Sequence, residues 1–294
     1  MDWDDLRYFL AAYRRGSLSA AARELGCEYT TVGRRIVALE TALGTKLFTR
    51  GMEGLNATAA ATDLVPLAEQ IERTTVAIAA RVAAQDERVE GVVRVTCAEG
   101  FSLYLVDRFP ELRERYPKLG IEVLTDVRPL DLHRGEADVA LRLGSATQGE
   151  LVTRKLCAMP WRMFASPAYL ARRGNPSPIG DLSGHDIVAY DAPLEHVPGA
   201  RWLDEHADGA NVVFRGNSLR AIVDAAVAGL GLTVLPHFLA TRSSGLSLLA
   251  PDVLGTRTLS IVIHPDLVRV ARVRAVIDFL AEAVLRDHAA GVFG

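Results

Sequence analysis

The sequence predicts a composite chain, an all-α N-terminal part joined through a long helix to a C-terminal α/β part. Three observations carry that reading. Residues 1–43 hold three apolar patterns of helical period, closed by Gly16, Gly26 and Gly44. Residues 57–90 contain no glycine and keep apolar positions at alternating four and three spacing. From residue 91 onward short β-branched runs alternate with helical ones, the pattern of a parallel sheet with right-handed crossovers.

The first helix, over 3–14, places Leu6, Phe9, Leu10 and Tyr13 on one side and stops at Gly16. A short helix over 17–25 follows, whose three consecutive alanines allow another helix to approach closely, and Gly26 ends it. From 30 to 43, Val32, Ile36, Leu39 and Leu43 form one stripe, and Gly44 closes the helix. The opposite face carries Thr30 and Arg34, with Thr31 and Arg35 on its flanks: two hydroxyls and two guanidinium groups, the donors that a helix reading phosphates and base edges needs. The pair reads as a helix-turn-helix. On spacing alone it fits equally well two surface helices of a larger bundle.

Residues 46–50 are a short extended piece followed by Gly51 and Gly54, which suits a two-stranded wing. Arg50 is its candidate phosphate contact, whereas Met52 and Glu53 stand where basic residues would serve better. In the long helix, Leu64, Ala68, Ile71, Thr75, Ile78, Val82 and Val89 form a narrow seam, which asks for a partner helix from a second subunit, with packing on its own domain as the alternative. Pro66 removes a backbone donor, so the helix is expected to bend there or to restart with Thr62 or Asp63 as its cap. Strands are then expected at 92–96, 121–127, 138–143, 151–157, 161–165, 186–190, 212–215, 232–235 and 258–263, with helices at 101–115, 219–228 and 271–286.

With 294 residues, 49% of them hydrophobic and 23% charged, the chain has the make-up of a globular protein of two or three folding units. A net charge of −3 argues against indiscriminate nucleic-acid binding, and residues 1–56 balance eight Lys/Arg against seven Asp/Glu, so DNA binding would need a local basic face. The acidic opening MDWDDL is unlike a signal peptide and Asp224 interrupts the most apolar later stretch, so no membrane association and a cytoplasmic location are expected. Cys27, Cys97 and Cys157 are far apart and in no ligand spacing, which indicates neither metal nor disulfide. No cofactor is indicated.

Six features resemble the LysR-type transcriptional regulators. They are the opening helix ending in Gly16-Ser17-Leu18; Ala21-Ala22 with Leu25-Gly26; Val32 with Arg34-Arg35-Ile36 and Leu39-Glu40; Leu43-Gly44 with Lys46-Leu47-Phe48 and Arg50; the long helix; and the ending His264-Pro265-Asp266 to Val273-Arg274 with Ile277-Asp278-Phe279-Leu280. The resemblance implies a winged helix-turn-helix (1–58), a dimerising linker helix (59–90) and an effector-binding domain (91–294) of two α/β lobes like a periplasmic binding protein. The chain would cross between lobes twice, giving lobe I as 91–161 with 262–294 and lobe II as 162–261. It also implies double-stranded DNA with inverted-repeat sites, a small-molecule effector in the interlobe cleft, and assembly as a homodimer or homotetramer. The DNA-binding candidates are Ser17, Ser19, Thr30, Thr31, Arg34, Arg35 and Arg50.

Open α/β sheets bind ligands beyond the carboxyl ends of their strands, where helix N-termini donate to anions. Two such places are Cys97, Glu99, Phe101 and Ser102 after the first strand, and Asn217 with Ser218 after the strand ending at Arg215. Arg128, Arg142 and Tyr190, at other strand ends, complete the effector-binding candidates. Local roles remain open for several, with Ser102 and Ser218 as plain helix caps and the arginines in surface ion pairs. Glu99 would repel a simple anionic effector, which points to one carrying an amine or hydroxyl, or to a blocked cleft. Where relatives often have Gln-Pro-Ala-Val-Ser, this chain has Tyr29-Thr30-Thr31-Val32-Gly33, so a different base preference is expected. An enzyme or solute-binding protein with an accessory helical domain is the competing class. No G-x-S-x-G elbow, phosphate loop, paired carboxylate motif or metal cluster supports it.

Overall fold

In the computed structural model, residues 1–51, 54–125, 130–144, 151–176, 181–249 and 251–294 are described, together with the backbone but not the side chain of Arg50. The chain divides into two compact units, Met1–Ala80 and Arg81–Gly294.

The first unit begins with α1 (Asp4–Arg15), α2 (Leu18–Leu25) and α3 (Tyr29–Leu43), each ended by a glycine in the left-handed region. Their inner faces make one contact layer of Ala11, Ala12, Ala21, Ala22, Val32 and Ile36, so the alanines give the close helix approach expected of them. Leu43 departs from the predicted stripe and is exposed, because the chain turns away at Gly44. The wing is an antiparallel hairpin of β1 (Phe48–Gly51) and β2 (Gly54–Ala57). It is anchored to the α1–α2 turn, where the Leu55 amide donates to the Gly16 carbonyl at 2.9 Å. Gly54 has φ +136°, and a Cβ there would lie 2.6 Å from the Gly16 carbonyl oxygen, so the close approach requires glycine.

α4 (Ala59–Ala83) differs from its expectation in three ways. It ends at Ala83, short of 90, and it runs through Pro66 without restarting. Its cap is Thr58, whose hydroxyl accepts from the Ala61 amide at 3.2 Å while donating to the Lys46 carbonyl at 2.8 Å. The predicted seam is also split. Leu64, Ala68 and Ile71 pack within this unit against Leu6, Phe9, Leu10, Leu39 and Leu47, whereas Ile78 and Val82 are 59% and 65% exposed.

The second unit holds β3 (Gly91–Cys97), α5 (Glu99–Arg115), β4 (Leu119–Leu124), β5 (Val139–Leu143), β6 (Val152–Ala165), α6 (Pro167–Arg173), β7 (Asp186–Tyr190), α7 (Pro198–His206), β8 (Asn211–Gly216), α8 (Leu219–Val227), β9 (Thr233–Pro236), α9 (His237–Arg242), β10 (Ser247–Leu248), β11 (Gly255–Ile263) and α10 (Ala271–Ala289). The parallel sheet predicted from the strand–helix–strand pattern is found for β4–β3–β5 and for β7–β8. The remaining ladders, β5–β11, β11–β6, β6–β9 and β6–β10, are antiparallel, so the fold is mixed.

The mixed part makes the connection between two lobes. The two runs expected at 151–157 and 161–165 are one strand, β6, which pairs with β11 up to Trp161 and with β9 from Trp161 onward. At Pro160 only β11 flanks the strand, so the missing amide is tolerated. β11 pairs with β5 from Leu259 to Ile263 but only with β6 from Gly255 to Thr258. α10 lies against β3, β6 and α5. There Tyr104 of α5 donates to the buried Asp287 carboxylate at 2.7 Å and Arg108 donates to it at 2.8 Å.

The wing and α3 are held together by Glu40, only 6% exposed, which accepts from the Leu47 and Phe48 amides at 2.9 and 3.3 Å and pairs with Lys46. Burial alone would raise its pKa, but Lys46 and the two amides outweigh burial and hold it below its ordinary 4.5. The stabilisation is therefore fully present above that value and is lost as pH falls through the folded-state value. Glu40→Gln is expected to cost roughly 1–3 kcal/mol at neutral pH. Urea titrations from about pH 7 to pH 3 should also show a shallower acid loss in the variant than in the wild type. Parallel acid profiles would remove Glu40 from this role.

Candidate nucleic-acid interface and ligand cleft

The outward face of α3 exposes Tyr29, Thr30, Arg34 and Val37. It can do so because Val32, Ile36 and Leu39 are buried and fix the opposite face. Thr31 is half-buried on the flank. Ser17 stands at the start of α2 in an extended conformation with no capping bond from its side chain, and Ser19 is exposed in the first turn.

Arg35 does not join this face. Its guanidinium is paired with Asp2 at 3.0 Å, Asp5 at 3.1 Å and Asp4 at 3.7 Å, and lies 5.6 Å from the centre of the Tyr8 ring. It fastens α3 to the start of α1, and the buried Asp5 carboxylate explains why the cation is drawn inward. The Asp4 amide and then Arg35 hold the Asp2 carboxyl below its ordinary range.

Other cations of this unit are also occupied. Arg14 bonds Glu69 and Glu72 at 3.1 and 2.6 Å, Arg15 pairs with Glu24, and Lys46 with Glu40. Among the described residues up to position 51, Arg7, Arg23 and Arg34 are exposed and form no ion pair. Arg23 and Tyr29 were missed by sequence reasoning. The available signal was their place beside the turn between α2 and α3. The Arg50 side chain, Met52 and Glu53 lie outside what is described.

In the second unit a cleft of about 360 Å³ opens where β3 meets α5 and β8 meets α8. It brings together three of the predicted residues, Glu99, Asn217 and Ser218. Ser218 caps α8 by accepting from the Ala221 amide at 3.4 Å, and its hydroxyl donates to Glu99 at 2.6 Å, a bond running from the α5 lobe to the α8 lobe. Behind it, Gly100 permits close approach, since a Cβ there would lie 3.3 Å from a Leu239 methyl.

The other candidates do not line the cleft. Cys97 is buried at the end of β3, and burial pushes its thiol up to about 12, far from a reactive thiolate. Phe101 is buried with its ring 4.5 Å from that of Phe238. Ser102 is turned back to donate to the Glu99 carbonyl at 2.7 Å. Arg142 donates to the Leu130 carbonyl at 2.7 Å, and burial lowers its pKa against the opposing pull of Asp131. Tyr190 is buried and donates to the Val234 carbonyl. Arg128 lies outside the described residues.

The cleft instead takes in Thr125, Pro193 and Leu194, which sequence reasoning missed. Thr125 follows β4 directly and could have been found as one more strand end, whereas the Pro193-Leu194 turn carries no periodic signal. Among the described residues no cluster is placed to hold a metal, and no helix is long and apolar enough to cross a membrane.

A helix-turn-helix with a wing, followed by a two-lobed α/β unit with a cleft between strand ends, defines a ligand-responsive DNA-binding regulator. Residues 3–62 match the model of the bacterial regulatory helix-turn-helix proteins of the lysR family, and residues 86–285 match that of the LysR substrate binding domain. The chain belongs to the LysR family of transcriptional regulators. It is 27% identical over 287 residues to the regulator CrgA of Neisseria meningitidis serogroup C, covering 95% of this chain and 96% of that protein. It is 30% identical over 212 residues to an HTH-type transcriptional regulator of Xanthomonas campestris, a match spanning 72% of this chain and 61% of that protein's length. Among solved structures, CrgA from Neisseria meningitidis aligns over 97% of this chain and 99% of that one, with TM-score 0.59 and 26% identity. The Vibrio cholerae virulence activator AphB aligns over 96% and 99%, with TM-score 0.62 and 23% identity, a likeness of fold. LysR regulators bind DNA and small-molecule effectors and form oligomers, and this chain carries both of the family's domains.

Two measurements check these placements. Arg35→Ala should lower the urea midpoint clearly, while Arg34→Ala leaves it nearly unchanged, as for an unpartnered surface residue; equal midpoints would dissolve the Arg35 fastening. At pH 7.5, iodoacetamide should label half-buried Cys27 well before Cys97, as read by peptide mass.

Proposed function

We propose that this chain reads operator DNA with the outer face of α3 and that a small molecule in the cleft controls the reading. The observation that carries this is the division of α3: Thr30 and Arg34 are exposed on one face, Arg34 without an ion pair and Thr30 with only a local bond to Glu28, while Arg35 and Glu40 are consumed in fastening the other. Thr30 and Arg34 are the base-edge readers, supported by Thr31, Tyr29 and Arg23, with Ser17, Ser19 and Arg50 as phosphate contacts. We assign residues 1–58 to the DNA-binding part, 59–90 to the linker and 91–294 to the effector-binding part, its lobes joined near 158–161 and 255–258. Arg35 leaves the set of readers.

Two copies are needed to read an inverted repeat. Leu67, Ile78 and Val82, exposed on α4, are the surface we assign to pairing, and a pair of such pairs gives the tetramer. An effector acts by binding one arrangement of subunits better than the other. The protein works in the cytoplasm, where its DNA is, and performs no catalysis.

The test is fluorescence anisotropy with the intergenic DNA beside the protein's own gene against a random duplex of equal length. Arg34→Ala is expected to weaken the intergenic complex by roughly 5- to 150-fold and the random complex much less. Equal losses would leave Arg34 a phosphate contact only. Ile78→Asp should shift the protein to monomer in sedimentation and abolish tight intergenic binding; a dimer unaffected by it would displace the pairing surface from α4.

A further inference from the structure

We infer that the effector of this regulator is a small organic amine, bound as its ammonium ion by Glu99. The inference rests on the reading of the cleft as the effector site. Among the described residues that line the cleft, Glu99 is the one ionised group, and no Lys, Arg or His is among them. A pocket built for a carboxylate effector needs a cation or free helix-end donors. Here no cation lines the cleft among the described residues, the α8 end is capped by the Ser218 hydroxyl, and the α5 end carries a carboxylate in its own first turn. Glu99 lies in the first turn of α5, where a carboxylate answers the positive end of the helix, and the same carboxylate receives the hydroxyl of Ser218 at the start of α8. A second carboxylate would have to displace Glu99 or sit against it.

Glu99 is not itself neutralised within the described structure. Its side-chain partner there is a hydroxyl, 2.6 Å from Oε2, while the nearby Arg220 is bonded to Asp224 at 2.8 Å. Among the described residues none donates to Oε1, which is the atom the ammonium ion would meet. Around it stand Thr125 and Asn217, whose side chains make no hydrogen bond to another described residue and whose oxygens are acceptors for an ammonium group. The rest of the lining is apolar, with Pro193, Leu194 and Leu219 offering a surface for a short alkyl or aryl body. The volume, about 360 Å³, is at the small end of ligand sites and excludes bulky effectors. An amine of this kind joins both lobes through one ion, because the carboxylate that holds it is already tied to Ser218.

Thermal unfolding of the full chain with matched pairs tests this: n-butylamine against butyrate, and benzylamine against benzoate, each in millimolar excess. The amines are expected to raise Tm by several degrees and the carboxylates not at all. Glu99→Gln retains an acceptor for Ser218, so its own Tm should stay close to the wild type while its amine affinity falls at least tenfold. Ser218→Ala, which frees the carboxylate but unties the lobes, should keep part of that affinity. Stabilisation by the carboxylates, an amine response unchanged in Glu99→Gln, or no response to either class would each overturn the inference. Anisotropy on the intergenic duplex, measured on the same samples, tells these outcomes apart from failure of the regulator reading, which would also abolish specific DNA binding.

Discussion

Glu40 sits at the inner end of α3 with two backbone amides and one lysine directed at its carboxylate, in a place where water barely reaches. A charge so buried is tolerable only when every lone pair is answered, so its partners are fixed as firmly as it is. Those partners are the first residues of the wing. One carboxylate therefore holds the near end of the wing against α3. Gly54 against Gly16 sets the far end of the same hairpin by contact alone. Two points, one electrostatic and one steric, fix the wing to the helices it must work beside.

The second unit meets a different constraint. Two lobes must be distinct enough to leave a cleft and joined well enough to communicate. β6 and β11 answer this by running through both as one antiparallel ribbon. Beside the ribbon, Phe101 packs on Phe238, and Phe293 touches both Phe238 and Tyr104, so the lobes share an aromatic seam that excludes water. Aromatic pairs of this kind add roughly 0.5–1.5 kcal/mol each beyond their area. This explains why Phe101, which follows the cleft in sequence, is absent from it: its ring supports the wall from behind.

Much of the fold was legible because its signals are local. Helix ends at Gly16, Gly26 and Gly44 and the buried stripe of Val32, Ile36 and Leu39 depend on residues within one turn of each other. The errors concern choices made by distant residues. Nothing near Arg35 in sequence announces Asp2 and Asp5, which lie 33 and 30 positions away and claim it. Leu64, Ala68 and Ile71 share the spacing of a dimer seam, yet the core made by α1 offered them a partner first. Tyr190 and Phe101 stand where strand-end logic places ligand contacts, but their size suits them to the interior, and burial won. In the cleft, Glu99, Asn217 and Ser218 were readable as strand ends, whereas Pro193 and Leu194 belong to a turn with no pattern to read.

The two faces of α3 also bear on how such a protein can change over time. Residues that stabilise the fold and residues that meet the outside are here nearly separate sets, although they alternate within one helix. Arg34 has no ion pair among the described residues and Thr30 only an exposed bond to Glu28, so substitutions at them leave the folded state almost untouched. A lineage can thus vary the exposed face through side chains that cost little to exchange, while Arg35, Glu40 and the alanines of α2 hold the scaffold constant.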